Sequence, residues 1–374
     1  MNLPPKKYSA LVSEIRSFNP IRYGKSRNFK NGTVSYLSPY ISRGVISLNE
    51  IAKLVLERYH AKDAYTFIKE LAWRDYFQKV WEAKGDEIFT DLKHQQEKVK
   101  HHNSVSAVVH AKTGIHELDA EIGSLYERGY LHNHIRMYIA SLTCNIAGAH
   151  WFKPSQWMYY HLLDGDPASN ALSWQWVAGS FSSKKYYCNQ ENINRYTGSK
   201  QQGSFLDEDY EKLVNMEVPE ILKEKENTQL QTQLPKSECD LSHSIDGTVF
   251  IYNSFNLDQE WHKDKPGTRI LLLEPSHFEK HPVSEKVMRF ILDQSLMIPD
   301  IRICVSEFHD VQQAWSNANF IFKKHPTTTH YRGIEETPLS LFPSVQGYFP
   351  SFSAYWKRAE KEMFKMDKNK SLFD

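Results

Sequence analysis

At 374 residues, with 40% hydrophobic and 13% aromatic side chains, the chain is long enough for two domains and too apolar for disorder. Lys and Arg number 46 against 45 Asp and Glu, a net charge of +1. That balance excludes a whole-molecule field drawing the protein onto nucleic acid or membrane, so any polyanion site is a local patch. Cys144, Cys188, Cys239 and Cys304 are too scattered for a zinc or iron–sulfur site or a disulfide framework, and no metal is expected. The start, MNLPPKKYSA, lacks a signal-peptide core and no apolar run spans a bilayer; the expectation is a soluble, cytoplasmic protein.

Residues 1–32 set Lys6, Lys7, Arg16, Arg22, Lys25, Arg27 and Lys30 against Glu14 alone, which reads either as an anion-binding patch or as a solvated basic terminus. GTVSYLSPYISRG (32–44) places Thr33, Ser35 and Ser38 just before a helical region, a turn able to offer N–H groups and hydroxyls to a phosphate. From Ser47 to about Ala178 the pattern is helical. Ser47 with Glu50 forms a capping box for LNEIAKLVLERYH, and Asp63 caps a long helix that stops at Gly85. HELDAEIGSLYER ends at Gly129, HIRMYIASLTCNIA starts near His132, and Pro154 opens SQWMYYHLL. No strand-like alternation interrupts this region.

Residues 199–244 are polar and glutamine-rich, a peripheral helix followed by a linker. Beyond them TVFIYN, TRILLLE, IRICVSE and NFIFKK read as buried strands alternating with the helices VSEKVMRFILDQSL and HDVQQAWSNA, hence a small parallel sheet. YNSFNLDQEW after the first strand is no glycine-rich phosphate loop. GYFPSFSAYWKRAEKEMF is a closing helix that packs back on the protein. The fold class is therefore two-domain, α plus α/β. A mostly helical domain covers 1–200, a polar helix and linker 201–244, and a small Rossmann-like α/β domain 245–374.

Asp166, Asn170 and Trp174 in DGDPASNALSWQW share one helix face. That is a poor core stripe and a good surface for a polar, aromatic ligand, although a tryptophan-rich core helix with a capped start is the bland alternative. Glu70, Trp73, Arg74 and Phe77 follow the same spacing, either as a Glu–Arg pair in an aromatic core or as a cavity wall. Asn133, Arg136 and Met137 form a third such face. Three helices with one habit point to a shared pocket.

ELAWRDYF, GYLHNHIRMYIAS and DGDPASNALSWQWVAGS together resemble the FAD-binding helical domain of the DNA photolyase/cryptochrome family, from about Tyr23 to Thr197. The resemblance implies FAD, held by Tyr23, the turn of Thr33, Ser35, Leu37 and Ser38, Arg136, the paired Asp164 and Asp166, and Asn170 facing the flavin N5. It implies a cavity for a flipped lesion. There Glu70 hydrogen-bonds the dimer beside Asn133, and Trp73 and Trp176 stack on bases at about 1–3 kcal/mol each. Arg27 meets a phosphate, and His134 stands where the family's DNA-contacting pattern has arginine. Met137 occupies the position that is methionine in cyclobutane-dimer enzymes and histidine in (6-4) enzymes.

Trp174 and Trp151 match the inner two positions of the family's electron relay, whereas the distal position, near Lys98, has no tryptophan. Trp151, at a helix boundary, is expected to touch solvent. Family members begin with an α/β antenna domain; here the α/β segment comes second, a permuted order, and a second antenna chromophore is left open. The implied function is that of a monomeric, light-driven lyase splitting cyclobutane pyrimidine dimers in UV-damaged DNA. A cryptochrome-type photoreceptor without repair, or a flavin-free nucleic-acid binder, are the rivals.

Overall fold

The computed structural model describes residues 3–370. Its first helices are α1 (Tyr8–Ser17), α2 (Pro20–Ser26), α3 (Ser38–Ser42), α4 (Leu48–Leu56) and α5 (Ala61–Lys84). Strand β1 (Ser104–Val105) follows, then α6 (His116–Arg128), α7 (Asn133–Ser141), α8 (Phe152–His161), α9 (Pro167–Ala178), α10 (Gln190–Thr197) and α11 (Tyr210–Val214). After β2 (Lys225–Glu226) come β3 (Gly247–Tyr252), β4 (Thr268–Leu273), α12 (Glu285–Ser295), β5 (Ile301–Val305), α13 (Phe308–Ala314), β6 (Ala318–Lys323), β7 (Ile334–Glu336) and α14 (Phe352–Lys370). The chain forms two compact units that interleave along the sequence. One holds Lys25–Val34 and Lys84–Leu230; the other holds Leu3–Gly24, Ser35–Ala83 and the chain from Gln231. They cut across the segments 1–200, 201–244 and 245–374 read from composition.

The first unit is helical around one core. Leu118, Ile122 and Leu125 of α6, Ile135, Tyr138 and Ile139 of α7, Trp157 of α8 and Trp174 and Val177 of α9 are all buried in it. The three- and four-residue spacings turn one stripe of each helix inward, and each such aliphatic side chain contributes about 1.5–3 kcal/mol. Gly129 ends α6 in the left-handed conformation, φ 70°, as its position predicts. α7 runs on into a π-helical turn, Leu142–Ile146, where the Thr143 hydroxyl donates to Ile139 O. One local expectation fails: Ser104–Val105 pairs antiparallel with Lys225–Glu226, a ladder too short to leave an alternating pattern in the sequence.

The second unit carries a five-stranded, wholly parallel sheet in the order β5-β4-β3-β6-β7. α12 and α13 make the expected crossovers. β7 is an addition to the four strands that the apolar runs predict, because Ile-Glu-Glu is short and polar. The connector runs beside edge strand β5: Glu238 N–H donates to Ile303 O, Ile303 N–H to the Glu238 carboxylate, and Val305 N–H to Ser237 Oγ.

α5 begins at Ala61, so Asp63 lies inside its first turn, where it meets the positive end of the helix dipole instead of capping it. The closing helix α14 packs on α5 as expected. Tyr355 Oη donates to Asp75 Oδ2 at 2.6 Å, Trp356 Nε1 donates to Tyr65 Oη at 2.9 Å, and the Asp75 Oδ1 atom accepts Leu341 N–H at 2.9 Å.

Candidate functional site

In the helical unit α9 opens on Asp166, whose Oδ1 accepts Ser169 N–H at 2.7 Å, with Pro167 at the first helical position. That bond answers one of the four orphan donors at the helix start. Two residues earlier Asp164, its side chain 4% exposed, accepts two hydrogen bonds from Arg136 Nη2 of α7, at 3.0 and 2.8 Å. Arg136 Nε is tied to Leu131 O at 3.0 Å, which fixes the guanidinium against the carboxylate. One turn into α9, Asn170 Nδ2 donates to Ser155 O of α8 at 2.9 Å. The buried Ser169 hydroxyl has no partner among the described residues. Arg136, Asp164, Asp166 and Asn170 are thus held by α7, α9 and a bond to α8.

Trp174 and Trp151 lie in the same core. The helix boundary at Trp151 is real, but the expected solvent contact is not: the residue is fully buried. The segment 91–96 covers it, with Trp151 Nε1–H donating to Asp91 Oδ1 at 2.7 Å and Trp151 N–H to Gln96 Oε1 at 2.9 Å. Asp91 is a polar partner that motif reasoning does not find, since no local pattern marks it.

Along the 26–38 turn, Thr33 N–H donates to Ser26 Oγ at 2.9 Å. Gly32 is obligatory there: a Cβ would stand 1.8 Å from Ser26 O. In the second unit, Leu37 N–H reaches Ser35 Oγ at 3.5 Å, Tyr36 takes a left-handed φ of 53°, and buried Leu37 precedes Ser38 at the start of α3. Tyr23 sits edge-on to Phe67 at 5.2 Å. Glu70 and Trp73 are half-buried on α5. The Trp73 ring is stacked flat on Phe352 of α14, centroids 3.6 Å apart and planes at 8°, so one face of this indole is taken within its own unit.

Residues 67–250 match the model of the FAD binding domain of DNA photolyase. The chain belongs to the DNA photolyase/cryptochrome family. It is 32% identical over 169 residues to the deoxyribodipyrimidine photo-lyase of Agrobacterium fabrum, covering 42% of this chain and 34% of that protein. To the cryptochrome DASH of Danio rerio it is 31% identical over 166 residues, covering 42% and 32%. A solved cryptochrome of Synechocystis aligns at 24% identity over 50% of this chain and 43% of its own, with a TM-score of 0.46. The chain spans about a third of the length of these two curated relatives.

FAD is the cofactor of this photolyase-type domain. The residues present fit it: a guanidinium paired with a buried carboxylate, a side-chain amide and a buried hydroxyl unpartnered among the described residues are the mixed donors and acceptors that a flavin's polar edge requires.

The residues that the resemblance assigns to lesion and DNA range from half-buried to exposed. Asn133 is exposed and its Nδ2 lies 3.8 Å from Met137 Sδ, one turn on. Trp176 is 36% exposed, with Tyr186 at 5.9 Å. Arg27 is half-buried, and its carbonyl oxygen meets His132 Nε2 at 3.0 Å. Burial pushes the His134 imidazole down to about 4, with His132 and Arg27 adding like-charge pressure. His134 is therefore neutral at neutral pH, and it brings no charge to the position where the family's DNA-contacting pattern has arginine. Among the described residues no helix is long and apolar enough to cross a membrane, and no cluster of three or more His, Cys, Asp or Glu could hold a metal.

Proposed function

We propose that this chain is a light-driven lyase that splits cyclobutane pyrimidine dimers in UV-damaged DNA by FAD-dependent electron transfer. The carrying observation is the contrast on α9, where Trp174 is buried and Trp176, two residues on, presents an exposed ring. A buried indole serves electron supply; an exposed one offers a face on which an extruded base can stack. The bound flavin supplies the light-driven one-electron chemistry. In the helical unit Arg136 and Asp164 hold each other, and with Asp166, Asn170 and Thr33 they contact the cofactor; in the other unit Tyr23, Ser35, Leu37 and Ser38 are cofactor contacts by the family resemblance alone. In the helical unit Trp176 stacks on the dimer, Asn133 and Met137 line the lesion and Arg27 meets a phosphate; Glu70 of the other unit is a base-edge contact by the family resemblance alone. Trp151 and Trp174 donate electrons inward.

A second reading, a cryptochrome-type photoreceptor without repair, is favoured by the Trp73–Phe352 stack, which covers one face of an indole assigned to the lesion. The deciding experiment incubates the FAD-loaded protein with a UV-irradiated oligonucleotide under blue light and in darkness, followed by product analysis. Restored pyrimidines only in light support repair; a photoactive flavin with no restored pyrimidines supports the photoreceptor.

A further inference from the structure

Trp151 is held in an arrangement with more chemistry than burial of an indole requires. Asp91 Oδ1 accepts its indole N–H at 2.7 Å, and Asp91 Oδ2 accepts Gln96 N–H at 2.9 Å. Gln96 in turn binds Trp151 N–H through Oε1 and donates through Nε2 to Ala149 O, both at 2.9 Å. His150 Nε2 lies 3.4 Å from Asp91 Oδ1, while His150 Nδ1 accepts Phe152 N–H at 3.3 Å. That second bond assigns the ring hydrogen to Nε2, facing Asp91. Burial holds the His150 imidazole below its ordinary value against the pull of Asp91, so it stands beside the carboxylate as a neutral donor.

A carbonyl or amide oxygen would satisfy the indole N–H at less desolvation cost than a carboxylate. What the carboxylate adds is basicity. It also reaches water, because the Asp91 side chain keeps 19% of its surface while Trp151 has none.

We propose that Asp91 is the proton acceptor of Trp151 when that indole is oxidised, an inference that rests on reading Trp174 and Trp151 as an electron route to the flavin. One electron leaves the indole for a photoexcited, oxidised flavin, giving an indole radical cation. Its Nε1–H bond breaks, an O–H bond forms on Asp91 Oδ1, and a neutral indolyl radical stands beside a neutral acid. The charges of the pair go from +1 and −1 to zero and zero. The acid exchanges its proton with water at its exposed edge. A low-molecular-weight thiol later gives the indolyl radical one electron and one proton and becomes a thiyl radical, and the thiyl radicals of two such events join as a disulfide. Loss of the proton slows return of the electron, which lets a relay ending at a buried indole work without a surface tryptophan.

Transient absorption after a blue flash on the FAD-loaded full chain tests this. In the parent, radical cation should convert to neutral radical, more slowly in D2O than in H2O. In Asp91→Asn the neutral-radical yield should fall by roughly 10²-fold, the scale of a positioned base. Conversion at the parent rate in Asp91→Asn, or a conversion in the parent that is indifferent to D2O, overturns the proposal; the D2O arm holds even where the variant does not fold. Radical formation undiminished in Trp174→Phe overturns instead the relay reading beneath it. A cofactor-independent check uses 15N-tryptophan NMR: the Trp151 indole resonance, identified by its loss in Trp151→Phe, should move in Asp91→Asn. A resonance that stays put removes the contact.

Discussion

Replacing Arg136 with alanine tests the geometry of the site most directly. Asp164 receives both hydrogen bonds of this pair from one guanidinium nitrogen and its side chain is 4% exposed, against 24% for Arg136. Truncating the arginine removes the countercharge of a buried carboxylate, a change that costs about 3–5 kcal/mol. At 2–4 °C per kcal/mol for a unit of this size, the melting temperature should drop by roughly 6–20 °C, together with flavin content. Asp164→Asn leaves the half-buried guanidinium with an amide oxygen and partial access to water, so its cost should be smaller. Because the alanine penalty falls mostly on a carboxylate that has lost its countercharge, Arg136→Ala combined with Asp164→Ala should be less destabilising than the sum of the single changes. Urea unfolding of the parent, the three single variants and the double variant, with flavin absorbance followed in parallel, measures each term. A loss below about 1 kcal/mol in Arg136→Ala, or strict additivity in the double variant, would refute the buried-pair argument.

The two indoles assigned to the lesion should part company. Trp176→Ala should weaken lesion-DNA binding about ten-fold with little change in melting temperature, whereas Trp73→Ala should destabilise the protein through loss of the Phe352 stack; equal melting temperatures would count against that division. His134, held at about 4 against an ordinary 6.5, stays neutral in the folded chain while the unfolded chain takes up a proton, so its contribution is present above pH 6.5 and lost as pH falls toward 4. His134→Asn should flatten that acid limb in a stability–pH titration, and an unchanged slope would assign it elsewhere. Trp174→Phe should nearly abolish photoreduction by a thiol under blue light while sparing repair by chemically reduced protein; parent-rate bleaching of the flavin would point to another donor.

Much of α9 is legible in the sequence because its boundaries are local. Asp166 as cap, Pro167 behind it and Gly179 at the far end act within a turn of where they stand, and the four-residue spacing of Asp166, Asn170 and Trp174 follows from helix geometry. The partners of these residues are another matter. Asp91 lies 60 positions from Trp151, and nothing in DLKHQQEK distinguishes a carboxylate under an indole from one in water. Trp73 and Phe352 each read as an aromatic on a helix, and only the packing of α14 on α5 turns them into a stack. Periodicity reports which side of an element faces inward; it carries no information about which distant segment arrives there. β7 stays hidden for a different reason, since its short polar strand joins by backbone pairing and by the Glu336 carboxylate, which meets Trp261 Nε1 and His262 Nε2.

The polar connector beside β5 has an effect on how molecules of this protein meet one another. A parallel sheet ending in an open strand offers a row of N–H and C=O groups on which a strand from a second molecule can zip. Ser237 and Glu238 engage Ile303 and Val305 on that rim with side chains as well as backbone, and a side chain cannot pass the ladder on to a neighbour. The glutamine-rich stretch that reads as a mere tether thus works as a selvedge, finishing the woven edge so that the sheet does not propagate from one chain to the next.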